Sequence, residues 1–105
     1  MQSRKDNFYT KTQDGTGALI TFNCGFKPRY VKVLNVEGKA TLEFVDTMAA
    51  GKGYKVLTGI DATADTVSLH SYIESKGITL LDYGFTLGTD SDVNVNGEEL
   101  HVIAY

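Results

Sequence analysis

The chain has 105 residues, enough for one domain but not for a second independent core. Its formal charge of −3 argues against nucleic acid as the main partner, because phosphate binding needs a net basic face. The single cysteine, Cys24, excludes an internal disulfide and a cysteine-based zinc site. A hydrophobic content of 42% is ordinary for a globular chain. No apolar run approaches the ~20 residues needed to cross a bilayer, and no apolar stretch follows the charged start, so neither a membrane partner nor a signal peptide is expected. A reducing compartment is the simplest reading of a lone cysteine, although a cysteine-poor virion or secreted protein would look the same.

Residues 1–16 are polar apart from Phe8-Tyr9 and read as an N-terminal arm ahead of one domain over 17–105. After Gly17, the run Ala18 to Cys24 has strand length and ends at Gly25. Cys24 reads as a small core hydrophobe. Tyr30 to Val36 places Val31 and Val33 on one face, and Lys39 to Asp46 places Ala40, Leu42 and Phe44 on one face. Glu37-Gly38 between them predicts a hairpin with a two-residue loop. Tyr54 to Thr58 is a further short strand, followed by a polar loop over 59–68. Leu69, Tyr72 and Ile73 have the i, i+3, i+4 spacing of a short helix near 67–76, with Gly77 as its cap; a twisted strand is the alternative. Ile78 to Tyr83, Phe85 to Leu87, Val93 to Asn96 and Leu100 to Tyr105 complete the strands. Asn96-Gly97 is a type I′ turn dipeptide. The expected fold class is therefore all-β: a small antiparallel β-sandwich or barrel of about seven to eight short strands with at most one short helix.

The last strand carries apolar residues on both faces. Leu100, Val102 and Ala104 form one face, while Ile103 and Tyr105 share the other with His101. A half-solvated strand is polar on one side. Either this strand is central and covered twice, or a second subunit covers its outer face; the second reading is preferred. Phe8 and Tyr9, an aromatic pair on a polar arm, and the basic patch Lys27-Pro28-Arg29 are the other candidate contacts. Charge is uneven as well. Lys27, Arg29, Lys32, Lys39, Lys52 and Lys55 face only Glu37, Glu43 and Asp46 between Gly25 and Lys55, whereas the stretch from Asp82 to Tyr105 has acids and no Lys or Arg.

The residue types that carry chemistry are sparse. From Asp92, the run Asp-x-Asn-x-Asn-Gly matches the first six positions of a calcium loop, but Ile103 stands where the bidentate Glu belongs. Asp92, Asn94 and Asn96 therefore read as a solvated face ahead of a turn, with calcium ligation as the lesser alternative. His70 lies between Ser68 and Ser71, with Asp61 and Asp65 upstream, but no strained turn presents a nucleophile. Gly51-Lys52-Gly53 lacks phosphate-loop spacing and reads as a turn. A non-enzymatic protein without cofactor or metal is expected.

Gly25-Phe26-Lys27-Pro28-Arg29-Tyr30-Val31, Met48-Ala49-Ala50-Gly51, Gly77-Ile78-Thr79, Gly84-Phe85-Thr86-Leu87-Gly88-Thr89-Asp90 and Val93-Asn94-Val95-Asn96-Gly97, taken together, resemble short virion structural proteins of tailed bacteriophages. These include head decoration (capsid cement) proteins and related tail-fibre modules. The resemblance covers the chain from about residue 25 to the C-terminus. It implies a β-rich module on the virion surface, commonly a homotrimer on capsid symmetry axes, with the major capsid protein and itself as partners. A tail-fibre or receptor-binding adhesin module is the alternative. The short chain beginning at its own Met1 favours a free-standing decoration protein.

Overall fold

The structure, a computed structural model, describes residues 7–60, 63 and 65–105. Eight antiparallel strands form a single curled sheet: β1 (Tyr9–Asp14), β2 (Ile20–Asn23), β3 (Tyr30–Asn35), β4 (Ala40–Val45), β5 (Lys52–Ile60), β6 (Thr66–Leu81), β7 (Gly84–Leu87) and β8 (Glu99–Ala104). Their order is β1-β8-β3-β4-β5-β6-β7-β2. From β3 to β7 the chain is a plain meander. The first strands and the last then close the two flanks, β2 against β7 and the β8–β1 pair against β3.

One face of the curl is the core. Val31 and Val33 of β3, Leu42 and Phe44 of β4, and Leu100, Val102 and Ala104 of β8 are fully buried, as their alternation predicts. Ile20, Phe22, Ile78, Phe85 and Leu87 fill the other half, with Phe22 stacked on Phe85 at 4.9 Å between ring centroids. Each such side chain contributes about 1.5–3 kcal/mol by leaving water.

The connection from β7 to β8 folds into the concave side, where Val93 joins the core. Val93 to Asn96, expected as a strand, is instead part of this loop. Its turn closes through Glu98 N–H donating to the Val95 carbonyl (3.1 Å), with positive φ at Gly97 alone. A type I′ turn needs positive φ at both central residues, so this is the type II pattern.

Two further expectations are corrected, and one resolves to its alternative. No α-helix occurs among the described residues: the segment 67–76 lies in β6, as the twisted-strand reading has it. Its helix-like spacing arises because both faces of this strand carry apolar residues, Leu69 and Ile73 on one and Tyr72 on the other. The β3–β4 loop is longer than two residues, and the residue with positive φ is Lys39 (55°) rather than Gly38. Within the segment read as an arm, Tyr9–Asp14 form β1, paired along the whole of β8. An edge strand with one polar face has little hydrophobic signature, so composition alone concealed it. Met1 to Asp6 of the arm, together with Asp61, lie outside the described residues.

β6 is long because it serves two partners in succession. Thr66–Ile73 pair with β5, and Ile78–Leu81 pair with β7. Between Ile73 and Ile78 the register shifts, and Glu74–Gly77 bulge out. Gly77 fits because a Cβ there would lie 2.2 Å from the Lys52 carbonyl oxygen. The pairing of β5 with β4 ends at Leu57 and β5 continues past it; the molecule measures 57 × 27 × 24 Å.

Candidate interaction surfaces

The two ends of the sheet-forming chain meet at one corner. Tyr105 is clamped to the start of β3: the Arg29 and Tyr30 amides donate to its carbonyl (both 2.8 Å), and its own amide donates to the Tyr30 carbonyl (3.0 Å). Its ring then lies 5.2 Å from that of Tyr30 and 6.1 Å from that of Phe8, the latter pair stacked. Phe8 and Tyr105 remain 58% and 51% exposed, so this backbone-held aromatic pair faces water. Lys27 and Arg29 are exposed beside Pro28, which is buried. They edge an open groove of about 470 Å³ that Phe44, Asp46, Met48 and Leu80 also line. The structure thus joins Phe8 and Tyr105 in one exposed stack and sets Lys27 and Arg29 along the groove, which meets that stack through the Arg29 backbone.

The other predicted contact residues are placed differently. Tyr9 turns inward and packs against the core; burial, then the nearby Cys24, raises its pKa. Phe8 and Tyr9 point opposite ways, as neighbours on an extended chain do. β8 lies between β1 and β3, so Ile103 is flanked in register by Thr10 and Lys32 and is only half-exposed. His101 is half-exposed beside Glu99, with Nε2 to Oε2 at 3.3 Å. Cys24 is half-buried, its Sγ donating to the Phe26 carbonyl.

The inner side holds a polar cluster that the sequence does not announce. Lys55 sits on the core-facing side of β5, and its Nζ donates to Asp90 (3.1 and 3.2 Å) and Asp92 (2.7 Å). Only 13% of the Lys55 side chain and 11% of that of Asp90 are exposed. Asn94, expected on a solvated face, is buried. Its Oδ1 accepts from the Thr16 and Gly17 amides (2.9 and 3.1 Å), and its Nδ2 donates to the Ala18 and Gly88 carbonyls (2.7 and 2.9 Å). Asn35 ties the same loop to β3 through the Val93 carbonyl (3.0 Å) and Glu98 (2.8 Å). Asp92, Asn94 and Asn96 therefore do not converge: the first pairs with Lys55, the second binds backbone, and the third is exposed. Among the described residues no group of three His, Cys, Asp or Glu side chains is arranged to hold a metal.

His70 lies on the exposed ribbon of β5 and β6, hydrogen-bonded through Nδ1 to the Tyr54 hydroxyl. Ser71, the next residue on the strand, points to the opposite face. Ser68 shares the His70 face but hydrogen-bonds the Thr58 hydroxyl (3.3 Å). No described serine is held against His70 as a nucleophile would be. Lys52 pairs with exposed Glu74, which chiefly raises the lysine pKa.

Tyr30 and Lys55, like Tyr9 and Lys52, hold their protons more tightly in the fold. Burial pushes the Tyr30 pKa up from 10.0, and the Glu43 carboxylate that accepts its hydroxyl proton (2.5 Å) adds to the shift. For Lys55, burial acts downward, but the bonds to Asp92 and Asp90 and their charges outweigh it, leaving the pKa above 10.5. Both groups hold their protons more tightly folded than unfolded. Their contribution is therefore complete below pH 10.0 and lost as pH rises through the unfolded values toward the higher folded ones. The melting temperature should fall above pH 10.0, and less steeply in Tyr30→Phe; equal alkaline slopes in the two proteins would remove Tyr30 from the account.

No family model, curated protein or solved structure matches the chain.

Proposed function

We propose that the chain is a non-enzymatic structural protein of a tailed-bacteriophage virion, a decoration protein that binds the outside of the head shell and stabilises it. The observation that carries this reading is the corner where Phe8 and Tyr105 stack in water. Exposed aromatic side chains are common anchors of protein interfaces. The Tyr105 backbone is already fixed by three hydrogen bonds, so docking costs little further ordering there. Lys27 and Arg29, along the adjoining groove, suit an acidic rim on the major capsid protein. The sequence resemblance to decoration proteins supplies the partner.

The test is uptake by heads stripped of the protein, read by co-sedimentation and by the heads' heat resistance. Wild-type protein should bind and raise that resistance. The double variant Phe8→Ser/Tyr105→Ser should bind roughly 30-fold more weakly, the loss of one interface hot spot or more, and its own melting temperature should change little. Heads that ignore the wild-type protein, or that take up both proteins equally, would sink the proposal. Binding of the wild-type chain to host cells instead of heads would favour the adhesin.

A further inference from the structure

We infer that the free edge of β6, Thr66–Ile73, pairs antiparallel with the same edge of a second copy of this chain, joining two sheets through a two-fold axis. Three observations lead there. First, among the described residues these eight bond through their backbone only to β5, so alternate N–H and C=O groups along the other side stand open. Second, the edge has none of the devices that discourage strand addition. The run Thr66-Val67-Ser68-Leu69-His70-Ser71-Tyr72-Ile73 contains no Pro, Lys, Arg, Asp or Glu, while Leu69 and Tyr72 are 62% and 48% exposed. The other two sheet edges are defended: β1 carries Lys11 and Asp14, and β2 has only four residues. Third, the edge has room, because β7, the next strand on that side, pairs only with Ile78–Leu81 and leaves Thr66–Ile73 uncovered.

The occupant follows from the chemistry of the edge. A two-fold axis perpendicular to the sheet keeps each residue on its own face, so the symmetric register must centre on a residue rather than between two. Centring on Leu69 sets Leu69 against Leu69 and Thr66 against Tyr72 twice, the latter a favourable aromatic with β-branched pair. It places Asp65 opposite Ile73 and keeps His70 from facing its own copy. In this register Thr66–Tyr72 of the two copies pair wholly with each other, and the β7-paired stretch Ile78–Leu81 lies outside that run. The edge is thus complementary to itself, as an isologous contact requires. It stands whether or not the chain binds a shell, and it is a two-fold contact, unlike the trimer that the resemblance implies.

Sedimentation equilibrium of the full chain across a concentration series tests this. Wild-type protein should pass from monomer to dimer. Leu69→Lys puts two cations directly opposite each other and should raise the dissociation constant about tenfold or more, with the strand-rich circular dichroism retained. Leu69→Glu alone should behave likewise, and an equimolar mixture of the two variants should associate again, because Leu69 faces itself. Should either charged variant fail to fold, Leu69→Cys in a Cys24→Ser background gives an independent reading: mild oxidation should yield a covalent dimer. A wild-type chain that stays monomeric at every soluble concentration, that forms trimers, or whose association ignores both substitutions at Leu69 overturns the inference. So does protection of the Thr66–Ile73 amides from hydrogen exchange that appears only on adding a different protein.

Discussion

Lys55→Ala is expected to destabilise the fold by about 3–5 kcal/mol, the cost of breaking a buried ion pair from one side. The ammonium is the only cation placed against Asp90 and Asp92 among the described residues, and both it and Asp90 are nearly enclosed. Removing it leaves the Asp90 carboxylate in a low-dielectric site with the Asp92 amide (3.1 Å) as its remaining described donor. Asp92 is more open and can hydrate, so the penalty falls mainly on Asp90. The double variant Lys55→Met/Asp90→Asn should therefore recover more than half of the loss, since it removes the stranded charge while keeping an acceptor for the Asp92 amide. Urea unfolding at constant m-value measures both. A Lys55→Ala change within about 0.5 kcal/mol of wild type, the range of an ordinary surface substitution, would show that water reaches the cluster freely.

The consequence reaches the proposed functional surfaces. Lys55 holds the β7–β8 loop against β5, the strand that carries the ribbon, and that loop leads into β8 and Tyr105. A loosened loop should soften the corner and the ribbon together. Lys55→Ala is therefore expected to weaken shell binding even though it touches neither surface.

How far the sequence discloses this arrangement depends on which signal each element carries. Strands with one buried face were legible, because alternation is a direct consequence of the pleat: Val31 and Val33, Leu42 and Phe44, and Leu100 and Val102 all point inward as their spacing predicts. Elements whose role depends on partners far along the chain were not. β1 is polar because it is an edge, and pairing with β8, at the other end of the chain, is what makes it a strand. β6 carries apolar residues on both faces, so its periodicity mimics a helix until the pairing with β5 is known. Lys55 stands on the face of Leu57, an inward lysine in a strand. That is a sign of a buried partner which could have been read, but nothing local identifies the partner as Asp90. Of the expected contact residues, Phe8 and Tyr105 share a corner and Lys27 and Arg29 edge one groove, whereas Tyr9 packs on the core and Ile103 is flanked by its own sheet. The alternation of Ile103 and Tyr105 gave the correct face but not the neighbouring strands that partly cover it.

Asn94→Ala should cost about 3 kcal/mol or more, for a reason opposite to the one its sequence context suggests. Flanked by Asp92 and Asn96, Asn94 has the setting of a surface residue, yet its amide acts as a short stretch of backbone. It accepts from the Thr16 and Gly17 amides and donates to the Ala18 and Gly88 carbonyls: three bonds join the β1–β2 connection to the β7–β8 loop, and the fourth closes that loop on itself. Truncation leaves those groups without partners, and each one that water cannot reach costs about 1–3 kcal/mol. The bond to Gly88 is buried and should dominate, whereas Thr16 and Gly17 are near enough to solvent to recover hydration in part. Asn94→Asp separates the donor from the acceptor role. A carboxylate keeps the two accepted bonds but turns an acceptor toward two carbonyl oxygens, so the charged form is disfavoured and the variant's carboxyl pKa is raised in the fold. A raised folded pKa confers stability that is present at low pH and lost as pH rises. Relative to wild type, Asn94→Asp should therefore be much less stable at neutral pH and regain part of the difference on acidification, when the protonated carboxyl can donate to one carbonyl. Asn94→Ala should show no such recovery. Melting curves of the three proteins across acidic and neutral pH decide the matter: if Asn94→Asp and Asn94→Ala stay equally destabilised throughout, the two carbonyls are not what the amide serves.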